Sequence, residues 1–438
     1  MSDPPRTFST STSQQKETYL NLTPAQLDRA CGAVLGSAVG DALGAPYEFG
    51  SAPIGPDGPQ MIGGGLGGFA PGEWTDDTTM AWCILDVAAS GVDLSSADGL
   101  TAVARNFRDW YETSPPDIGI QTRNVLFEAG PNPTGDSLTA TAHDFHRETG
   151  RTAGNGSLMR TAAVALPYLD DEDAVADAAR KLSALTHYDP RAQEACVLWS
   201  LAIRRAIVDE EIDLRSGLAH LPADSAKFWT DHIDEAQTSD PARFTPNGWV
   251  VSALQAAWSA IAHTPELDDD PSRQFGDGLV TAITIGNDTD TVAAIAGALL
   301  GARWGAAAIP EHRREILHGY PGLRADDLVQ AAQQHRHVHV RTGHVGDREQ
   351  GPLQAFGLGQ ALTQGMVDTP LVAPVTAQIQ ALTAEYQWPG LLARGIASGH
   401  QRAGGDALAR LLAPGALGAA AARPGAPVLR ARGCPQPA

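Results

Sequence analysis

Carboxylates and hydroxyls crowd into two short stretches of this chain, Glu73-Trp74-Thr75-Asp76-Asp77-Thr78-Thr79 and Ile285-Gly286-Asn287-Asp288-Thr289-Asp290-Thr291. Each is followed by apolar residues at helical spacing: Met80, Cys83, Ile84 and Val87 after the first, Val292, Ile295, Ala296, Leu299 and Leu300 after the second. Both therefore open helices, with Asp288 placed as an N-cap and Asp290 and Thr291 in the first turn. A helix N-terminus favours a nearby anion by only ~0.3–1 kcal/mol. That accounts for one capping Asp and not for a second flanked by threonines. Adjacent carboxylates repel unless a positive charge lies between them. Taken alone, either cluster could be a plain capping segment. Taken together, they point to a pair of hard cations held by oxygen, which suits Mg²⁺ or Mn²⁺ and argues against zinc.

Three further signals are weaker. Gly154-Asn155-Gly156-Ser157 precedes the apolar run 158–166. Most such triplets mark turns, but ahead of a helix the backbone N–H groups could face a phosphate. His187 sits in the break Thr186-His187-Tyr188-Asp189-Pro190, where a lone histidine is usually structural or exposed. His335-Arg336-His337-Val338-His339 spaces histidines as metal sites on strands do. With no Cys or carboxylate cluster beside it, it reads as a solvated linker.

The elements that must position these groups are helices; few segments alternate like strands, so the chain is expected to be all-α. Thr23 and Gln26 form a capping box with Pro24 at the first helical position. Gly32, Ala33, Gly36, Ser37 and Gly40 keep that first helix thin, which places it in the middle of a bundle. It ends around residues 40–44, and Ala45-Pro46-Tyr47-Glu48 follows. Residues 50–72 are rich in Gly and Pro and read as a surface loop or, because they join Glu48 to the first acidic cluster, as a flap over a site. Helical patterns cover 76–90, 98–112, a segment that Asp117-Ile118-Gly119-Ile120 leads into, 172–185, a segment that Asp189-Pro190 starts, one opened by Gly248-Trp249-Val250 and running to about Ala262, 275–285 and 325–334. Residues 129–157 read as a loop and 211–245 as irregular.

The chain has 438 residues, 43% of them hydrophobic, and a formal charge of -20. That balance argues against general binding to nucleic acid or to an anionic membrane. Cys31, Cys83, Cys196 and Cys434 lack metal-ligand spacing. The first three fall on apolar helix faces, as reduced cysteines do, and fit a reducing compartment. With no signal-peptide core or spanning segment, the expectation is a cytoplasmic protein. Residues 1–22 are expected to be a disordered leader, 23–335 the catalytic domain, and 336–438 an extension that is partly helical before a disordered Ala/Gly/Pro/Arg tail.

An ordered series of motifs over roughly residues 24–335 resembles the ADP-ribosylglycohydrolase family, which includes dinitrogenase reductase-activating glycohydrolase and the ADP-ribosylarginine hydrolases. It begins with Gly36-Ser37-Ala38-Val39-Gly40-Asp41-Ala42-Leu43-Gly44 and Glu48, and runs through Thr75-Asp76-Asp77-Thr78, Asp117-Ile118-Gly119 and Gly154-Asn155-Gly156-Ser157-Leu158-Met159-Arg160. It closes with Thr186-His187, Gly286-Asn287-Asp288-Thr289-Asp290-Thr291 and Leu317-His318-Gly319-Tyr320-Pro321-Gly322. Asn287 stands where the family usually has Gly. The resemblance implies a compact multi-helix fold around a binuclear Mg²⁺ or Mn²⁺ centre with Thr75, Asp76, Asp77, Asp288, Asp290 and Thr291 as ligands. Glu48 would sit on or beside the metals, Asp117 near the distal ribose, and Asp41 behind the ligands or at a helix end. Gly154, Asn155, Gly156, Ser157 and Met159 would line the substrate pocket, and His187 would contact substrate.

The chemistry implied is hydrolysis of an ADP-ribosyl bond through an oxocarbenium-like state, with the cations orienting the sugar and activating water. Glu48 or Asp117 would move the proton. The acceptor expected is ADP-ribosylated arginine. An O-linked ADP-ribosyl serine, a modified nucleobase or a small ADP-ribosyl metabolite are enzymatic rivals. A non-catalytic ADP-ribose-binding protein, which would have lost a metal ligand, and a structural all-α scaffold are the rivals from other classes.

Overall fold

A computed structural model of the chain describes residues 22–266 and 270–334. Apart from Leu22, the expected leader lies outside the described residues, as do the histidines at 335–339 and the extension 336–438. The fold is predominantly helical, and among the described residues its one sheet is the pair β1 (His318–Gly319) and β2 (Leu323–Arg324), antiparallel and two residues each.

Two helices form its axis. The first, α1 (Pro24–Gly44), starts as its sequence dictates: Thr23 Oγ1 accepts the Gln26 N–H at 3.2 Å and Gln26 Oε1 accepts the Thr23 N–H at 3.0 Å. Every residue from Arg29 to Gly44 is buried. Its partner α11 (Thr289–Trp304) is buried from Thr289 to Ala302. The two run antiparallel with their backbones in contact. A Cβ added to Gly36 would lie 2.2 Å from the carbonyl oxygen of Gly297, and one added to Gly40 would lie 2.1 Å from that of Ala293. At Gly44 it would meet the Asp290 backbone at 2.6 Å. This register brings the end of α1 to the start of α11, where Thr289 Oγ1 donates to the Gly44 carbonyl at 2.8 Å.

Around this pair pack α7 (Pro190–Asp209), α9 (Val250–Ala262), α10 (Pro271–Thr284) and α13 (Ala325–Gln334). Trp199 on α7 donates its indole N–H to the Ile295 carbonyl at 3.0 Å. The first acidic cluster opens α2 (Asp76–Ala89), which lies against α3 (Ala97–Glu112) and α13. Trp74 N–H donates to the His318 carbonyl and His318 N–H to that of Gly72, so β1 props up the entry to α2. After α3 the chain turns through Asp117 into α4 (Ile120–Ala129).

Three segments differ from the sequence expectation. The stretch 129–157 is not all loop: it holds α5 (Gly135–Thr149), which buries Leu138, Ala142 and Phe145 at positions i, i+4 and i+7. The Thr, His and Asp residues between them hide that periodicity. Residues 211–245 contain α8 (Ala223–Thr238), which buries Trp229, Ile233 and Ala236 beneath a charged outer face. The apolar run 158–166 is a series of 3₁₀ turns and not an α-helix. It is buried on every side, so no amphipathic face is required of it, and Pro167 removes a helical donor.

Candidate active site

The first acidic cluster is freed for chemistry by a residue outside it. Thr75 is the N-cap of α2, yet its side chain caps nothing. The Asp41 carboxylate, arriving from α1, does so instead. It accepts the Thr75 N–H at 3.0 Å, the Thr78 N–H at 2.9 Å and the Thr78 hydroxyl at 2.6 Å. Asp76 and Asp77 are thereby left to face inward. Asp77 takes the Thr75 hydroxyl on Oδ2 at 3.1 Å, while its Oδ1 is buried with no hydrogen-bond partner among the described residues. Asp76 accepts the Gly119 N–H at 3.3 Å, which ties the Asp117 turn to the cluster.

Glu48 enters from the kink after α1. Its own backbone is extended and Phe49 turns left-handed at φ 47°, with the Phe49 N–H donated to the Asn287 carbonyl at 2.7 Å. The Gly-rich segment above it is pinned through Tyr47, whose hydroxyl accepts the Gln60 N–H at 2.7 Å.

The second cluster is shaped by two asparagines. Gly286 and Asn287 both have positive φ, 85° and 60°. Asn is the non-glycine residue that best tolerates this region, so the exchange of Gly for Asn at 287 is accommodated. Asn247 is fully buried and holds the turn from behind. Its Oδ1 accepts the Asp288 N–H at 3.0 Å and its Nδ2 donates to the Gly286 carbonyl at 3.0 Å. Asn155 donates from Nδ2 to the Asp288 carboxylate at 2.7 Å and to the Asn247 carbonyl at 3.1 Å. Asp288 makes no side-chain hydrogen bond as the cap of α11. Asp290 accepts the Thr291 N–H at 2.9 Å, and the Thr291 hydroxyl rests 3.8 Å from the Met159 sulfur.

The result is a convergence of carboxylates. Oxygens of Asp41, Asp77 and Asp290 lie within 4.8 Å of one another, as do oxygens of Glu48, Asp117 and Asp290, and all five residues are buried. Burial, and after it Asp117, hold the Glu48 carboxyl well above its usual range. Burial and then Asp117 do the same to Asp76, and burial and then Asp41 to Asp77. Burial followed by Glu48 raises Asp290, and burial pushes Asp41 up to about 6. Oxygen donors packed in mutual repulsion, one of them orphaned, fit divalent cations between the two clusters.

On the other side lies the segment 154–157. Gly154, Asn155 and Gly156 are half-buried, while Ser157 is buried and accepts the Ser183 hydroxyl at 2.9 Å. The His187 ring packs against this segment so closely that a Cβ on Gly156 would lie 3.0 Å from it. Thr186 Oγ1 holds the ring at Nδ1, 2.8 Å away, and burial, then Arg160, push its pKa well below the ordinary value. Gln121 donates to the carbonyls of Thr152 and Thr186 and so locks the two segments together. Asn247 and Gln121 were not singled out by the sequence. Pro246-Asn247-Gly248 reads as an ordinary turn, and only the fold shows what its amide reaches.

The family model for ADP-ribosylglycohydrolase matches residues 22–343. The chain is 32% identical over 299 residues to the ADP-ribosylarginine hydrolase Tri1 of Pseudomonas putida, covering 66% of this chain and 74% of that protein. It is 28% identical to the ADP-ribosyl-[dinitrogen reductase] glycohydrolase of Rhodospirillum rubrum, covering 66% of this chain and 89% of that one. It is 26% identical to the human ADP-ribosylhydrolase ARH3, covering 56% and 75%. A solved structure described as an ADP-ribosylglycohydrolase-related protein complex superposes with a TM-score of 0.52 at 27% identity, covering 72% of this chain and all of that one. The motif order, the helical fold and the match across most of its length agree: the chain belongs to the ADP-ribosylglycohydrolase family.

Proposed function

We propose that this chain is a metal-dependent hydrolase that removes ADP-ribose from arginine side chains, reversing mono-ADP-ribosylation. The observation that carries the reading is the approach of buried carboxylates from α1, α2, the Asp117 turn and α11 to within 4.8 Å in two groups. No structural scaffold needs such repulsion. Thr75, Asp76, Asp77, Asp288, Asp290 and Thr291 would hold two Mg²⁺ or Mn²⁺ ions. When bound, the ions supply charge that orients the ribose hydroxyls and acidifies water.

The chain's own residues supply the rest. The segment 154–157 would face the diphosphate and ribose, with the Asn155 side-chain oxygen as an acceptor for a ribose hydroxyl, since its Nδ2 is already donated to Asp288 and Asn247. His187, held neutral and anchored at Nδ1, presents Nε2 to the same segment as a hydrogen-bonding group. Glu48 and Asp117 share the space around Asp290. One carboxylate takes a proton from the attacking water as the bond between ribose C1″ and the acceptor breaks, and a proton passes to the departing acceptor.

Arginine is preferred as acceptor because the Tri1 proteins of Pseudomonas putida and Serratia proteamaculans carry that activity in their names. A different acceptor, such as an O-linked serine, is the second reading, since the human relative ARH3 is named an ADP-ribosylhydrolase with no arginine in its name. Among the described residues no helix is long and apolar enough to cross a membrane, and Cys83 and Cys196 are buried free thiols. The thiols suit a reducing compartment such as the cytoplasm.

The test is a panel of arginine-, serine- and nucleobase-linked ADP-ribose substrates with Mg²⁺ or Mn²⁺. We expect release of ADP-ribose from the arginine substrate, abolished by EDTA and restored by metal. Full activity in a verified metal-free sample would overturn the metal assignment, and inertness toward the whole panel with intact ADP-ribose binding would leave a non-catalytic binder.

A further inference from the structure

Gln121 belongs to neither acidic cluster, yet its helix turn touches both sides of the site. It lies in the first turn of α4, shortly after Asp117, and the Gly119 N–H at the head of that turn is donated to Asp76 at 3.3 Å. The acidic centre therefore holds one end of the turn. The other end holds the opposite wall. Gln121 Nε2 donates to the Thr152 carbonyl at 3.1 Å and to the Thr186 carbonyl at 2.9 Å, and both threonines are fully buried. Gln121 Oε1 would lie 3.6 Å from a Cβ on Gly154, beside His187 Nε2 at 3.4 Å. The next residue, Thr122, is buried and brings its hydroxyl to 3.6 Å from a Cβ on Gly156.

A glutamine amide has two hydrogens, and here both go to connections that are far apart in sequence. Thr152 leads from α5 into 154–157, and Thr186 precedes His187 between α6 (Glu172–Ala184) and α7. Neither carbonyl lies inside a helix, and connecting segments shift more readily than the helices they join. A side chain that bonds both, carried by the turn that follows Asp117, fixes the width of the wall and its distance from the acidic centre. Thr186 passes the constraint on, because its hydroxyl holds the His187 ring at Nδ1. Hydrolysis depends on that distance, since a displacement of about 1 Å can cost roughly 100-fold in rate. We propose that Gln121 is a positioning residue that aligns ADP-ribose, held by 154–157 and His187, with the carboxylates of Glu48 and Asp117. The inference rests on the ADP-ribosyl hydrolase reading above and adds the residue that sets the alignment.

Gln121→Met keeps the length of the side chain and removes both donors. In the full chain with Mg²⁺, calorimetric affinity for free ADP-ribose should fall about tenfold, on the order of one hydrogen bond's contribution. Single-turnover hydrolysis of the arginine-linked substrate at saturation should fall about 10–100-fold. Mn²⁺ affinity, titrated without ADP-ribose, should stay within about twofold of wild type, because a loosened wall leaves the metal ligands in place whereas a generally loosened fold would not. Gln121→Glu, which keeps the shape and donates nothing when ionised, carries the same comparison should Gln121→Met fail to fold. Wild-type ADP-ribose affinity and rate in the folded variant would reduce the amide to scaffolding and overturn the proposal. So would matched losses of metal and ADP-ribose affinity, or a loss of ADP-ribose affinity with the wild-type rate at saturation. A wild-type protein that binds metal and ADP-ribose but cleaves no member of the substrate panel would sink the hydrolase reading, and the affinity comparison would still decide whether Gln121 holds the wall.

Discussion

Asn247→Ala should loosen the second acidic cluster without touching a carboxylate. The wild-type amide accepts the Asp288 N–H and donates to the Gly286 carbonyl, both at 3.0 Å, from a fully buried position. Alanine leaves a donor and an acceptor stranded, and each unsatisfied buried group costs roughly 1–3 kcal/mol. Partial relaxation of the turn reduces the sum, so a loss of about 2–4 kcal/mol is expected for the metal-free protein. Asp288 then loses its fixed orientation, and removing a group that orients a metal ligand lowers metal affinity roughly 10–100-fold. Urea unfolding in EDTA measures the first quantity, and calorimetric titration with Mn²⁺ at a temperature where the variant is folded measures the second. A stability loss under about 1 kcal/mol together with wild-type affinity would show that Gly286 and Asn287 hold the turn unaided, and the reasoning would fail.

Asp290→Asn keeps shape and capping ability but removes a charge from both carboxylate groups. Metal affinity should fall and single-turnover hydrolysis drop by about 100-fold or more, while the metal-free melting point holds or rises; wild-type values would leave only a capping role. The cluster carboxyls have folded pKa values above their unfolded ones, so the folded state binds protons more tightly and gains stability as pH falls. For Asp41 that window runs from about 6 down toward 4. The metal-free protein should therefore melt higher at about pH 5 than at about pH 8, with metal affinity changing in the opposite sense, and a melting point that falls on acidification would contradict this. Gly36→Ala places a methyl 2.2 Å from the Gly297 carbonyl, where no side chain can yield. A cost of at least ~1–3 kcal/mol is expected in urea unfolding. Gly276→Ala in α10 meets nothing within 4 Å and should stabilise by ~0.5–1 kcal/mol in the same assay.

The sequence was most legible where local chemistry and tertiary role coincide. The capping box at Thr23 and Gln26, the glycine stripe of α1 and the acidic openings of α2 and α11 all announce themselves, because caps and close-packing residues have narrow identities. Legibility failed where burial overrides propensity. Leu138, Ala142 and Phe145 make a helix of a Thr-rich stretch because they have a core to enter. Residues 158–166 are buried all round and so carry no period to read. Part of the site was hidden for a different reason. Asp41 caps a helix 34 residues away and Asn247 braces a turn 41 residues away. Such partnerships exist only once the backbone is folded, and no local spacing reports them.

The glycine face of α1 has a consequence for how the protein is made. Its partner surface on α11 lies 245 residues further along the chain at the Gly44–Thr289 contact. At ribosomal speeds that distance takes on the order of tens of seconds to synthesise. Throughout that interval the face of α1 that meets α11 has nothing to cover it, and an apolar surface so exposed invites aggregation or a chaperone. The proposed site, which needs the end of α1 and the start of α11 together, is therefore among the last parts of the molecule to come into being. No fragment that stops short of α11 can bring the two acidic clusters together, however much of the fold it has already acquired.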